Sequence, residues 1–237
     1  MRNLLRWPSF KKLATVSAFL PSAFCLLPSA FLFLPFAFAT RQVPPPPPAG
    51  DLARLLQAHY DTVRDFTADF THRYRGGALH QSLTETGHVK IKKPGRMDWT
   101  YVSPEKKQFV SDGAKMYSYL PSEKVVYISD LPTGDQASTA LLFLTGKGNL
   151  VRDFRPSLPP TPPPGTWQLD LTPNAAQAEF ASLSLIVDPK SFALKGFSSV
   201  DAQEGVSTFT LTNLRENVGL SDNQFTFQIP KGVEIRR

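Results

Sequence analysis

The stretch Asp65-Phe66-Thr67-Ala68-Asp69-Phe70-Thr71-His72-Arg73-Tyr74-Arg75 decides the fold class of this 237-residue chain. Phe66, Ala68, Phe70, His72 and Tyr74 fall on one phase of a two-residue period, and Thr67, Asp69, Thr71 and Arg73 on the other. Successive side chains of a strand point to opposite faces, so the segment makes a strand with one greasy face. Upstream, Leu52, Leu55, Leu56, His59 and Val63 recur at helical spacing. They predict a helix over Asp51 to Arg64, with Asp51 placed to cap it. Downstream, Gly76-Gly77 marks a turn.

The same alternation continues along the chain. Val89 and Ile91 alternate with His88, Lys90 and Lys92, and Pro94-Gly95 breaks the run. Met97, Trp99 and Tyr101 alternate with Asp98 and Thr100 and should share the concave side of a curved sheet, with Tyr117 and Tyr119 joining them. Phe109-Val110 leads into Asp112-Gly113, a hairpin turn. Further strands are predicted at Val125 to Ile128, Trp167-Leu169-Leu171, Phe180 to Val187, Leu194 to Val200, Val206 to Leu211 and Phe225 to Phe227. Leu141, Leu142 and Leu144, closed by Gly146, predict a short helix over Ala137 to Thr145. Strands at such intervals, without helices between them, form an antiparallel meander in a single mainly β domain.

Residues 1–39 form a different kind of segment. Arg2, Arg6, Lys11 and Lys12 precede an uncharged run from Leu13 to Ala39, which ends Ala37-Phe38-Ala39 before Thr40. A basic n-region, an apolar run and an A-x-A site are the pattern of a secretory signal peptide. The run is also long enough to span a bilayer, so an uncleaved anchor is the alternative. Residues 40–50 hold the proline run Pro44 to Pro48, a stiff extended spacer for which a leader without a task is the plainer account. Residues 51–237 make the folded domain. Taking the four basic residues of the signal from the total of 26 leaves 22 against 20 acidic, a net of +2. The charge therefore gives no support to nucleic acid as a partner. Cys25, the only cysteine, lies in the signal, so the remainder forms no disulfide and no thiolate metal site.

Catalytic constellations are not evident. His72, His80 and His88 recur every eight residues without metal-ligand spacing, and a solvated strand face accounts for them. Asp65 and Asp69 share a face with no third group to tune them as an acid–base pair. Ser111-Asp112-Gly113 is a turn rather than a nucleophile, and no cofactor or metal is implied. The apolar inventory says more. Phe66, Phe70, Met97, Trp99, Tyr101 and Phe109 supply large side chains, as do Tyr117, Tyr119, Trp167 and Phe209. An ordinary packed core would explain them. Yet a curved sheet with one greasy face must cover that face, and two short helices cover only part of it.

Phe66-Thr67-Ala68-Asp69-Phe70-Thr71 resembles the opening strand of the LolA-type outer-membrane lipoprotein carriers. Gly87-His88-Val89-Lys90-Ile91-Lys92-Lys93-Pro94-Gly95-Arg96-Met97-Asp98-Trp99 is similar to their glycine, basic-proline and tryptophan block. Val110-Ser111-Asp112-Gly113 with Tyr117 and Tyr119 resembles the next hairpin. Leu141 to Leu150 with Phe154 is similar to the helix and its exit, and Asn217 to Val233 to the last strand. Order and spacing together carry the likeness, from Asp51 to Arg237. The resemblance implies an incomplete, half-open antiparallel β-barrel with short helices forming a lid. It implies a monomeric, non-enzymatic periplasmic carrier of acylated lipoproteins, loaded by an inner-membrane releasing transporter and unloaded by an outer-membrane acceptor. Lipid would then lie against the large residues above together with Val89, Ile91, Leu141, Leu144 and Leu169. The family usually has Arg before the proline of the basic block, where it holds the lid; here that position is Lys93, a point charge instead of a planar fork. A lipid-sensing envelope regulator on the same sheet and a structural envelope protein without ligand are the rival readings.

Processing is directly testable. N-terminal sequencing of the exported protein should begin at Thr40, because Ala37 and Ala39 present the small side chains that signal peptidase needs. Full-length protein retained in the inner membrane would show the segment to be an anchor.

Overall fold

Strand β1 (Asp65–Arg75) lies inside one twelve-stranded sheet, paired with β2 (Ser82–Lys92) on one side and β11 (Val206–Glu216) on the other. The computed structural model describes residues 43–76, 82–131, 148–175, 181–201 and 204–237. Beyond β2 follow β3 (Arg96–Ser103), β4 (Lys107–Asp112), β5 (Lys115–Leu120), β6 (Val125–Asp130) and the short edge strand β12 (Glu234–Arg236). Beyond β11 follow β10 (Leu194–Val200), β9 (Ser182–Val187), β8 (Trp167–Pro173) and the other edge, β7 (Phe154–Ser157). The edges β12 and β7 do not pair, so the barrel is left open. All pairings are antiparallel except β12 on β6, which is parallel. Charged Glu234 and Arg236 on one edge and Pro156 on the other discourage further strand addition.

Helix α1 (Ala49–Thr62) lays Leu52, Ala53, Leu56 and Tyr60 into the core and packs against α2 (Leu150–Asp153), β7 and β8. It begins two residues before the expected start. Pro48 is the N-cap residue, its carbonyl accepting from the N–H of Asp51 and Leu52. Asp51 does not cap; it sits in the first turn and bonds Arg54. Gln57 ties the two helices together, since its side-chain oxygen accepts from the Leu150 N–H at 2.7 Å. The proline leader is engaged as well: the Trp167 indole N–H donates to the Pro44 carbonyl at 2.8 Å.

One other expectation changes. Phe225–Phe227 is no strand. Asp222–Phe225 is a 3-10 turn, and Phe227 stacks on Tyr117 with ring centres 5.4 Å apart. Strands β7 and β12 were not foreseen. The helix expected over Ala137 to Thr145, with Leu141 and Leu144, lies outside the described residues.

Asp65 locks the chain's return past the sheet. It is 5% exposed, and its carboxylate accepts from the backbone N–H groups of Val218, Gly219 and Leu220 at 2.7–3.2 Å. Its own carbonyl accepts from the Asn217 N–H at 2.7 Å. Asp65→Ala leaves these donors without their acceptor, and the loss of charge-assisted bonds should cost about 3 kcal/mol. A urea melt checks this; a loss below about 1 kcal/mol would show that water replaces the carboxylate.

Candidate functional site

Residues directly opposite one another in a sheet share a face. Phe66 pairs with Ile91 and Ile91 with Met97; Ala68 pairs with Val89 and Val89 with Trp99; Phe70 pairs with Gly87 and Gly87 with Tyr101. Phe109 opposes Trp99, and on the other flank Phe209 opposes His72 and Phe197. Leu185 links Phe197 to Leu169. One concave apolar face thus runs across the sheet.

Gly87 makes the floor possible. A side chain there would meet the Thr100 carbonyl at 2.1 Å and the Phe70 ring at 2.6 Å, so only glycine lets Phe70 lie across β2. Phe70 then meets Tyr101 edge-on at 4.9 Å and Trp99 at 5.4 Å. Trp99 meets Phe209 edge-on at 5.3 Å, and Phe209 stacks on Phe197 at 4.6 Å.

The face has two zones. Under α1 it is filled. The cleft bordered by Leu56, Tyr60, Phe66, Val187, Phe192 and Leu194 has about 20 Å³ of room for the centre of a water-sized sphere. That is about enough for one water. Away from α1, Trp99, Phe109, Met116, Phe197 and Phe209 pack against the core but stay partly exposed.

The expected lining residues are therefore sorted. Phe66, Phe70, Val89, Ile91, Met97, Tyr101, Trp167 and Leu169 are buried on the concave face, and Trp99, Phe109 and Phe209 form its accessible floor. Tyr117 and Tyr119 are not there. They oppose Val110 and Gln108, one residue out of phase with Phe109, and so project from the other face. There they pack on Phe227, and the Tyr117 hydroxyl donates to Asp112. Leu141 and Leu144 lie outside the described residues. Phe197 and Met116 were missed, although each sits on an alternating strand.

Lys93 reaches α1. Its ammonium donates to the Tyr60 carbonyl near the helix C-terminus and lies 3.5 Å from the centre of the Tyr60 ring. Burial pushes Lys93 down to about 8, with Asp61 and Glu216 opposing the shift. His59 of α1 bonds Glu216 at 3.2 Å beside it.

The three histidines do not share a solvated face. His88 is convex and bonds Asp69. His72 is concave, stacked on Phe209 at 4.1 Å and bonded to Glu85 at 3.1 Å. Burial holds His72 below its ordinary range, with Glu85 partly opposing. Glu85, 3% exposed, also pairs with Lys107 at 2.7 Å. His80 lies outside the described residues. Ser111 is fully buried and structural: its hydroxyl donates to the Gly95 carbonyl and accepts from the Gly113 N–H. Among the described residues no helix is long and apolar enough to cross a membrane, and no cluster of His, Cys, Asp and Glu could hold a metal.

A family profile described as outer membrane lipoprotein carrier protein LolA matches residues 61–228. An outer-membrane lipoprotein carrier protein of Chromohalobacter salexigens is 26% identical over 185 residues, covering 78% of this chain and 86% of that one. One from Legionella pneumophila (strain Paris) is 28% identical over 185 residues, covering 77% and 88%. A solved LolA superfamily protein from Nitrosomonas europaea overlaps 74% of this chain and 97% of its own at 16% identity, with a TM-score of 0.42. The profile spans most of the folded domain, β1 to the 3-10 turn included, and with it this chain belongs to the LolA family of outer-membrane lipoprotein carriers, non-enzymatic proteins of the periplasm.

Proposed function

We propose that this protein is a periplasmic carrier, exported by a cleaved signal peptide. It takes acylated lipoproteins from an inner-membrane releasing transporter, shields their acyl chains, and yields them to an outer-membrane acceptor. One observation carries the reading: a continuous apolar face in an unclosed sheet, filled under a helix at one end and, among the described residues, only partly buried over an aromatic floor at the other. An exposed acyl chain of ~16 carbons carries about 12 kcal/mol at ~0.8 per methylene, which holds it in a membrane unless protein covers it. The aromatic floor offers part of that cover. The remainder requires α1 to move, since its cleft takes no more than a water. Opening costs free energy, and that cost keeps binding reversible. Lys93 is one tie between α1 and the sheet, beside the His59–Glu216 bond, and it is a strained one, because it holds an ammonium half out of water.

The first test separates floor from core. Leu169 is fully buried, and Leu169→Ala should cost about 3 kcal/mol. Trp99 is only partly buried, so Trp99→Ala should cost under about 2 kcal/mol without ligand. Binding of a fluorescent fatty acid should fall sharply in the Trp99 variant only. Core-like destabilisation at Trp99, with no acyl binding by the wild type, would contradict the carrier reading.

The second test uses pH. The closed lid depresses Lys93 to about 8, while an open lid returns it toward 10.5. The open state therefore binds more protons between those values, and protonation favours opening. This aid is fully present below about pH 8 and is lost as the pH rises toward 10.5. Affinity for a neutral acyl ester should thus fall by about one to two orders of magnitude from pH 7 to 10. Lys93→Met should flatten the dependence. A wild-type profile that stays flat, or affinity that rises with pH, would refute the tie.

A further inference from the structure

A greasy face is a costly place for charge, yet this one holds Glu85 and Lys107 beside the aromatic floor. Glu85 opposes His72 across β1 and β2, and Lys107 opposes Tyr101 across β3 and β4. Both therefore sit level with Phe70 to His72, four to six residues along β1 from Phe66, or about 13–20 Å from the end that α1 covers. The ammonium lies 4.4 Å from the centre of the Tyr101 ring, and the Lys107 side chain stays about a quarter exposed. The ammonium carries three N–H groups, and among the described residues Glu85 accepts from it. The Trp99 indole N–H is buried on the other side of Tyr101; the Tyr101 hydroxyl lies near it, but among the described residues no group meets it in hydrogen-bond geometry. A buried indole N–H without an acceptor is costly, and a ligand acceptor relieves that cost.

We propose that the Trp99 indole N–H and the Lys107 ammonium form a polar subsite for the neutral carbonyl of an acyl ester or amide. The head of the ligand lies at this rim, and its chain runs along the floor toward α1. The inference rests on the carrier reading and adds a polarity to it. The Glu85 carboxylate compensates Lys107, so the subsite offers donors without net charge. A second carboxylate would sit against Glu85, and esters and amides are therefore preferred to fatty-acid anions.

The test compares a synthetic diacylglyceryl lipopeptide with its dialkyl-ether analogue, which has the same chains and no ester carbonyls. Each displaces a fluorescent acyl probe from the intact protein. The wild type should prefer the ester about three- to tenfold, the range of one to two net hydrogen bonds. Trp99→Phe keeps a ring on the floor but removes the N–H, and the ester-to-ether ratio measured within that variant should collapse toward unity. Lys107→Met should reduce it in part. Methyl palmitate should compete better than palmitate in the wild type. Equal binding of ester and ether by the wild type, or an unchanged preference in Trp99→Phe, overturns the subsite and leaves the carrier reading standing. Palmitate competing better overturns its preference for neutral carbonyls. Failure of both lipopeptides to bind overturns the carrier reading itself, and the subsite with it.

Discussion

A sheet whose edges do not meet must cover its greasy face with something other than itself. Everything distinctive in this structure answers that constraint. In a closed barrel the inward residues pack against one another from all sides. Here β7 and β12 stay apart, and α1 covers one end of the concave face, against β7 and β8. The other end keeps an aromatic floor that is packed against the core and, among the described residues, partly exposed. A fully collapsed core would be more stable and would have no place for a chain from outside. The arrangement forgoes part of its burial to keep a movable wall.

Two polar devices set how movable that wall is, and they differ in kind. Asp65 is a fixed clamp. Its buried carboxylate satisfies three backbone donors of the 218–220 segment. Lys93 is a reversible tie. It satisfies a helix-end carbonyl, which the helix dipole favours, but holds a charge half out of water, which burial opposes. The clamp belongs to the scaffold and the tie to the moving part. Glu85 and Lys107 play neither role, which is why their place on the concave face asks for a ligand-side explanation.

Much of the fold could be read from the sequence, because period-two alternation is a local signal. β1, β3, β8 and β10 were all placed by it. What escaped detection depended on pairing. Tyr117 and Tyr119 alternate as cleanly as Trp99 and Tyr101, yet the register of β4 against β5 turns them to the convex side. Alternation says which residues share a face and not which face it is. Glu85 is the converse case: it lies in phase with Val89 and Ile91, so its inward direction was legible, but its charge argued against burial until Lys107 was seen beside it. Phe225 to Phe227 has strand composition and no partner strand, and it covers the convex face instead. β12 has three residues, too few for a period to register. Membership of the family lay in the order of weak motifs along the chain, and the role of each residue in the site depended on contacts far apart in sequence.

The central claim is that the concave face holds acyl chains delivered from a membrane. It is tested most directly by native mass spectrometry of the protein isolated from its own cells, without detergent. The account predicts a population carrying acylated species near one per chain, displaced by added lipopeptide. Protein that is uniformly free of lipid, and stays so when lipopeptide is supplied, would contradict it.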